Sequence, residues 1–86
     1  MSEAAIRLRI EKLDEGGYVA TSPVVPGLVA EGRTLREATE VAQDVARKIA
    51  QSCREHGDPL PPALAKVDDS SPIKFRETVD GRIAAG

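Results

Sequence analysis

The chain has 86 residues with 12 basic and 14 acidic side chains, giving a formal net charge of −2. That length allows one domain, and the charges are mixed, which excludes the strong basic excess of a protein that wraps nucleic acid by itself. Aromatic residues make up 2% of the chain, so the core must be aliphatic and rich in alanine. Such a core gives little net stability, and we therefore expect self-association.

Features of the sequence also indicate the compartment. The single cysteine, Cys53, has no partner for an internal disulfide, which is typical of a reducing environment. The charged N-terminus is unlike a secretory signal. The longest uncharged run, 16–30, is interrupted by prolines and glycines and cannot cross a membrane as a helix. We expect a soluble, cytoplasmic protein.

The first predicted element is a strand over Ala4–Ile10, because apolar and charged residues alternate there. Glycines at 16 and 17 predict a turn, and Tyr18–Thr21 is then the returning arm of a hairpin. The apolar face of the first strand is Ala4, Ile6, Leu8 and Ile10, and its charged face is Arg7, Arg9 and Glu11.

A second reversal follows the hairpin. Ser22-Pro23 ends the second strand, and Pro26-Gly27 is the pair favoured in a type II turn. Leu28–Glu31 is predicted as a third short strand. Together these segments predict a three-stranded antiparallel meander.

A long helix is predicted next. Thr34 and Glu37 fit the capping-box pattern, and Gly57 is a natural residue to end the helix after His56. Its predicted apolar stripe is Leu35, Ala38, Val41, Ala42, Val45, Ile49, Ala50 and Cys53. Small residues at intervals of four, which let a sheet or a partner approach closely, are Ala38, Ala42, Ala46 and Ala50.

The rest of the chain predicts one further strand in the sheet. Proline-rich 58–62 indicates an ordered turn or extended crossover, and 68–72 is a polar break. A fourth strand follows from the alternation of Ile73, Phe75 and Val79 with polar residues, and Asp80-Gly81 predicts a hairpin leading into a short edge strand, 82–84. The predicted fold is α+β, in the order β-β-β-α-β, with the fourth strand beside the first and the helix covering one face.

Residues spread over roughly two-thirds of the chain, from Ile6 to Pro62, resemble the HicB antitoxin family. The family's core is similar to a partial ribonuclease H fold, which agrees with the predicted order of elements. Where the family often has an acidic residue and a cysteine, this chain has Val24 and Leu28, which make the loop more apolar. The matching elements are Gly17-Tyr18-Val19-Ala20, Ser22-Pro23, Pro26-Gly27, Ala30-x-Gly32-x-Thr34, Glu37-Ala38 and Gly57-x-Pro59-Leu60-Pro61.

The resemblance implies a non-enzymatic binding protein that neutralises a HicA-type messenger-RNA-cleaving toxin by covering its active surface. It also implies a homo-oligomer, dimer or tetramer. Many members carry a C-terminal DNA-binding domain, but here the 24 residues after Pro62 are predicted as strand. We therefore expect residues 1–86 to form a single HicB-like domain with no separate DNA-binding domain, and no direct DNA binding.

The candidate partner-binding surface combines two features. The loop over 22–28, stiffened by its prolines, can be exposed at little entropic cost, and Glu31 supplies an acid suited to a basic toxin. A purely structural loop is the alternative. Tyr18 either packs under the helix or presents its ring at an interface. Arg7 and Arg9 either keep the outer face soluble or help it to dock a partner. The candidate residues are Tyr18, Ser22, Pro23, Val24, Pro26, Gly27, Leu28 and Glu31.

Other functions are disfavoured by the residues. A two-metal nuclease needs converging carboxylates, whereas the inward positions of the first strand are aliphatic. His56 and Cys53 have no catalytic or metal-ligating companions, and we interpret them as a helix-end residue and a small apolar residue. We expect no catalytic, metal or cofactor site. The second hypothesis is a stand-alone homo-oligomeric scaffold or regulatory module of the same fold, and a residual nuclease is a distant third.

Overall fold

The structure, a computed structural model, describes residues 4–67 and 73–79. The elements are strands β1 (Ala4–Lys12), β2 (Tyr18–Thr21) and β3 (Val29–Gly32), helix α1 (Leu35–His56), a single 3-10 turn (Pro62–Leu64) and strand β4 (Ile73–Val79). This α+β order confirms the predicted fold class. The predicted hairpin at Asp80-Gly81, the edge strand 82–84 and the polar break 68–72 lie outside the described residues.

The four strands form one mixed sheet in the order β3-β2-β1-β4. The pairs β1–β2 and β2–β3 are antiparallel, as a meander requires, and β4 lies parallel to β1. The position of β4 beside β1 was predicted from the helix that precedes it. This arrangement leaves β3 at one edge of the sheet.

β1 is half-buried, as its alternating sequence predicts. Ile6, Leu8 and Ile10 are buried on the inner face, while Arg7 and Arg9 are exposed on the outer face. The strand runs two residues further than predicted, because Lys12 pairs with Tyr18 across the hairpin. The inner face of β1 therefore forms the centre of the aliphatic core.

Both predicted reversals are tight turns. In the first, the Leu13 amide donates to the Gly17 carbonyl over 2.9 Å, and Gly17 has a φ of 93°. In the second, the Leu28 amide donates to the Val25 carbonyl over 3.2 Å, and Gly27 has a φ of 88°, as a type II turn requires at its third residue. Leu28 thus belongs to the turn, so β3 begins one residue later than predicted.

α1 begins and ends where its capping residues indicate. The Thr34 hydroxyl accepts a 3.0 Å hydrogen bond from the Glu37 amide, while the Glu37 carboxylate accepts one from the amide of Arg33. At the other end Gly57 adopts the left-handed conformation, and the Asp58 amide donates to the Cys53 carbonyl. Both ends of the helix are thus capped.

The helix lies close to β3 and β2 because its contact face is made of alanine. The fully buried helical residues are Ala38, Ala42, Ala46 and Ala50. The larger residues of the predicted stripe, such as Val41, Val45 and Ile49, are half-buried beside this alanine face. The prediction of a close approach is confirmed, and the bulkier side chains lie on its flank.

The remainder of the inner face is covered by the chain that follows the helix. Leu64 and Val67 are fully buried and belong to the same core as Ile6. The 3-10 turn over Pro62–Leu64 was not predicted, because the prolines indicated an extended or turn segment. None of the described elements covers the outer face, where the side chains of β1 and β4 alternate out to solvent.

Candidate partner-binding surfaces

The eight predicted partner-binding residues lie at two ends of the β2–β3 hairpin. Tyr18 and Glu31 lie at the end near the glycine turn and the start of α1, whereas the Ser22–Leu28 loop lies at the opposite end. Strands of four residues separate the two ends by about 10 Å. The predicted residues therefore contribute to two surfaces.

The first surface is an open notch of about 560 Å³ at the end of the sheet. One wall is the glycine turn between β1 and β2, and the other is the entry to α1. Backbone at Gly17 and Gly32 approaches so closely that a Cβ at Gly17 would lie 3.1 Å from the Gly32 carbonyl oxygen. The residues that line the notch are Leu13, Glu15, Gly16, Gly17, Tyr18, Glu31, Gly32, Arg33 and Glu37.

Tyr18 lies partly in the core and partly at the notch. It pairs with Gly32 and Lys12, on the inner side of the sheet. The residue is half-buried and packs against the core, and it also lines the notch. Tyr18 is therefore fixed by packing and still offers part of its surface to a bound group.

The notch is acidic. Its lining includes the carboxylates of Glu15, Glu31 and Glu37, against the single guanidinium of Arg33, and all four residues are exposed. The Glu37 carboxylate is held in place by the Arg33 amide. A net excess of two negative charges in a concave site favours a basic group.

The second surface is the loop that joins β2 to β3. The Ser22 hydroxyl accepts a 3.2 Å hydrogen bond from the Val24 amide, Val25 is fully buried, and Leu28 is 2% exposed. Leu28 and Val25 therefore anchor the loop in the core. Ser22 and Val24 are half-buried, and Pro23, Pro26 and Gly27 are exposed.

A groove of about 450 Å³ lies on the outer face of the sheet, beside this loop. Arg7 and Arg76 face each other across the β1–β4 pair. Arg9 and Pro23 also line the groove, and each of these four residues is exposed. One acid, Glu77, also lines the groove, and its carboxylate accepts a 3.0 Å hydrogen bond from the Thr39 hydroxyl of α1. Three arginines against one glutamate leave a net basic concavity, at the loop end of the sheet and away from the acidic notch.

His56 and Cys53 both lie in the last turns of α1. Among residues 4–67 and 73–79, no group of three or more His, Cys, Asp or Glu side chains could hold a metal ion. His56 lies exposed on the last turn of α1, with Nδ1 2.9 Å from the Ser52 carbonyl oxygen. Cys53 is half-buried on the same helix. In the part of the chain that is described, no helix has the length and apolar character needed to cross a membrane.

Three charged residues of the notch were missed by sequence reasoning. Glu37 was interpreted as half of the capping box, and Glu15 and Arg33 were not among the predicted partner-binding residues. The signal that could have found them was the pairing of Tyr18 with Gly32, because it brings the glycine turn against the helix cap.

The fold and these surfaces define a class of small α+β domain, with a mixed four-stranded sheet covered on one face by a single helix and with charged concavities at its surface. The chain is 31% identical over 52 residues to the UPF0150 protein of Thermoplasma acidophilum, a match that covers 60% of this chain and 75% of that protein. The chain belongs to the UPF0150 family. No model of a protein family matches it, and no solved structure does.

Proposed function

We propose that this protein is a HicB-like antitoxin, a non-enzymatic, homo-oligomeric binding protein that neutralises a HicA-type messenger-RNA-cleaving toxin by occluding its active surface. It acts in the cytoplasm, needs no cofactor and makes no direct contact with DNA. Support comes from the residues that resemble the HicB family, the β-β-β-α-β order that this resemblance implies, and membership of the UPF0150 family.

The observation that carries the proposal is the acidic notch. A protein that cleaves RNA must attract phosphates, so its active surface is basic. Glu15, Glu31 and Glu37 line one concavity, and Tyr18 also contributes to its lining. A lysine or arginine of the toxin can therefore meet opposite charge and an aromatic ring in the same site.

The rigidity of the notch contributes to the mechanism. Its walls are a hydrogen-bonded glycine turn and a capped helix end, so little conformational entropy is lost when a partner binds. Each exposed charge pair alone contributes weakly, on the order of 0–1 kcal/mol. Inhibition therefore depends mainly on covering the RNA-binding surface, with the charges setting orientation and association rate.

Co-expression tests the proposal directly. The toxin is sought in the neighbouring reading frame, as a short basic chain, and growth is measured with each partner alone and with both. We expect rescue by the wild-type chain, and weaker rescue and weaker binding by Tyr18→Ala and Glu31→Lys. Glu40→Lys, a charge reversal on the exposed face of α1, is the matched control and should rescue normally.

Two results would contradict the proposal. The antitoxin function is excluded if the folded wild-type chain neither binds the neighbouring toxin nor rescues cells from it. Equal loss of rescue with Glu40→Lys and Glu31→Lys removes the notch as the binding site.

The second candidate is an oligomeric scaffold or regulatory module without a toxin. Val29 favours it, because this valine on the edge strand β3 is 57% exposed and an apolar edge is suited to contact with another chain. A stable oligomer together with failed rescue would be the result expected of this candidate.

A further inference from the structure

The basic groove on the outer face concentrates positive charge on two neighbouring strands. Arg7 lies directly opposite Arg76 in the parallel β1–β4 pair, and adjacent strands are about 4.8 Å apart. Arg9 lies two residues along β1 on the same face, about 7 Å from Arg7. All three side chains are exposed and line one groove. The groove also includes Glu77, whose carboxylate is hydrogen-bonded to Thr39 of α1, so the groove keeps an excess of two positive charges.

This arrangement is unfavourable in the isolated protein. Like charges directly opposite each other on a sheet repel. The arginines also cluster on this face although the chain as a whole has more acids than bases, 14 against 12. An anionic group in the groove would relieve the repulsion between the arginines, so the charge distribution indicates an anionic partner.

The groove is suited to carboxylates on a polypeptide. Arginine binds a carboxylate with two parallel hydrogen bonds. The three guanidinium groups therefore offer several such pairs of N–H donors within one concavity. Pro23 supplies a rigid apolar wall and Thr78 a hydroxyl group beside them. A chain that alternates acidic and apolar side chains could use all of these features together.

Two observations favour a polypeptide over a nucleic acid. Glu11 follows Arg9 on the outer face of β1 and is exposed. An unbroken row of phosphates continuing along this strand would meet its negative charge, whereas a polypeptide can place an uncharged side chain there. The chain has one tyrosine, one phenylalanine and no tryptophan, and both Tyr18 and Phe75 pack against the inner core. The outer face therefore has no aromatic ring on which a base could stack.

We propose that the outer-face groove is a second docking site, which binds an acidic segment of a protein partner through Arg7, Arg9 and Arg76. The site lies on the opposite face of the sheet from the helix and does not depend on the antitoxin function. A partner held here leaves the acidic notch accessible.

Fluorescence anisotropy tests this site with a labelled 12-residue peptide of alternating glutamate and valine, and with single-stranded RNA of 12 nucleotides, each titrated with the full chain at two salt concentrations. We expect the peptide to bind more tightly than the RNA, with affinity that falls as salt rises. Arg7→Glu should lower the affinity for the peptide at least tenfold. Arg36→Glu, the same charge change on an exposed position of α1, should change it less than twofold.

A stability measurement separates lost binding from misfolding. Arg7→Glu places a carboxylate opposite Arg76, so the melting temperature should be unchanged or higher while the peptide affinity falls. The proposal is overturned if the peptide does not bind at low salt, if Arg36→Glu weakens it as much as Arg7→Glu, or if the RNA binds more tightly and depends on Arg7.

Discussion

Gly32 lies where β3 passes beneath the first turn of α1, so the substitution Gly32→Ala probes the close approach of helix and sheet. A Cβ at this position would lie 2.8 Å from the Glu37 carbonyl carbon and 2.9 Å from the Ala38 Cα, and closer still to the Ala38 amide nitrogen. All three atoms belong to the helix backbone. They cannot rotate aside as the end of a side chain could, so the helix itself must move.

The loss of stability can be estimated from the distance that the helix must move. Normal carbon contacts are about 3.5–4.0 Å, so the helix must retreat by roughly 1 Å, which also loosens the buried alanine face behind it. Overpacking of this kind lowers the free energy of unfolding by about 1–3 kcal/mol, occasionally more. Because the neighbouring atoms are rigid backbone, we expect a loss of about 3 kcal/mol for Gly32→Ala. The corresponding fall in melting temperature is roughly 12–24 °C for a domain of this size.

The assay is urea denaturation followed by far-UV circular dichroism, at one protein concentration because self-association would shift the midpoint. Gly27→Ala is the matched control. Gly27 has a φ of 88° and no atom within 4 Å of an added Cβ, so its substitution costs only left-handed backbone strain, about 1 kcal/mol. If Gly32→Ala destabilises the protein no more than Gly27→Ala, the close contact between β3 and α1 is refuted.

Three further predictions concern the helix and the sheet edge. Thr34→Ala removes the hydroxyl that caps α1 and should lower the free energy of unfolding by about 1 kcal/mol; an unchanged urea midpoint would contradict this. Ala46→Leu forces a larger side chain between helix and sheet and should cost about 1–3 kcal/mol, whereas Ala65→Leu, at an exposed position, should change the midpoint little. Val29→Lys should lower the oligomer mass measured by light scattering without altering the circular dichroism spectrum; an unchanged mass would show that this edge is not the interface.

The ends of the helix could be predicted because they depend on local chemistry. Thr34 caps the first turn with its own hydroxyl, and Gly57 adopts a conformation that few other residues tolerate. The position of β4 beside β1 followed from the connectivity of the elements. Local turn chemistry and chain topology thus allowed most of the fold to be predicted.

The arrangement of the surfaces could not be predicted in the same way. Tyr18 and Ser22 are four residues apart in the sequence, yet a short strand places them at opposite ends of the sheet. Arg7 and Arg76 are distant in the sequence and become neighbours only through the register of a parallel pair. The larger apolar side chains of α1 lie on the flank because the alanines bring the helix so close to the sheet. Such relations depend on tertiary pairing, which a single sequence does not specify.

The acidic notch and the arginine groove lie at opposite ends of the sheet, so this small domain presents two poles of opposite charge. A charged macromolecule approaching in solution would exert a torque on the domain and turn one pole toward itself before contact. Oppositely charged partners could then be held at once, so the domain has the geometry of a bridge between them.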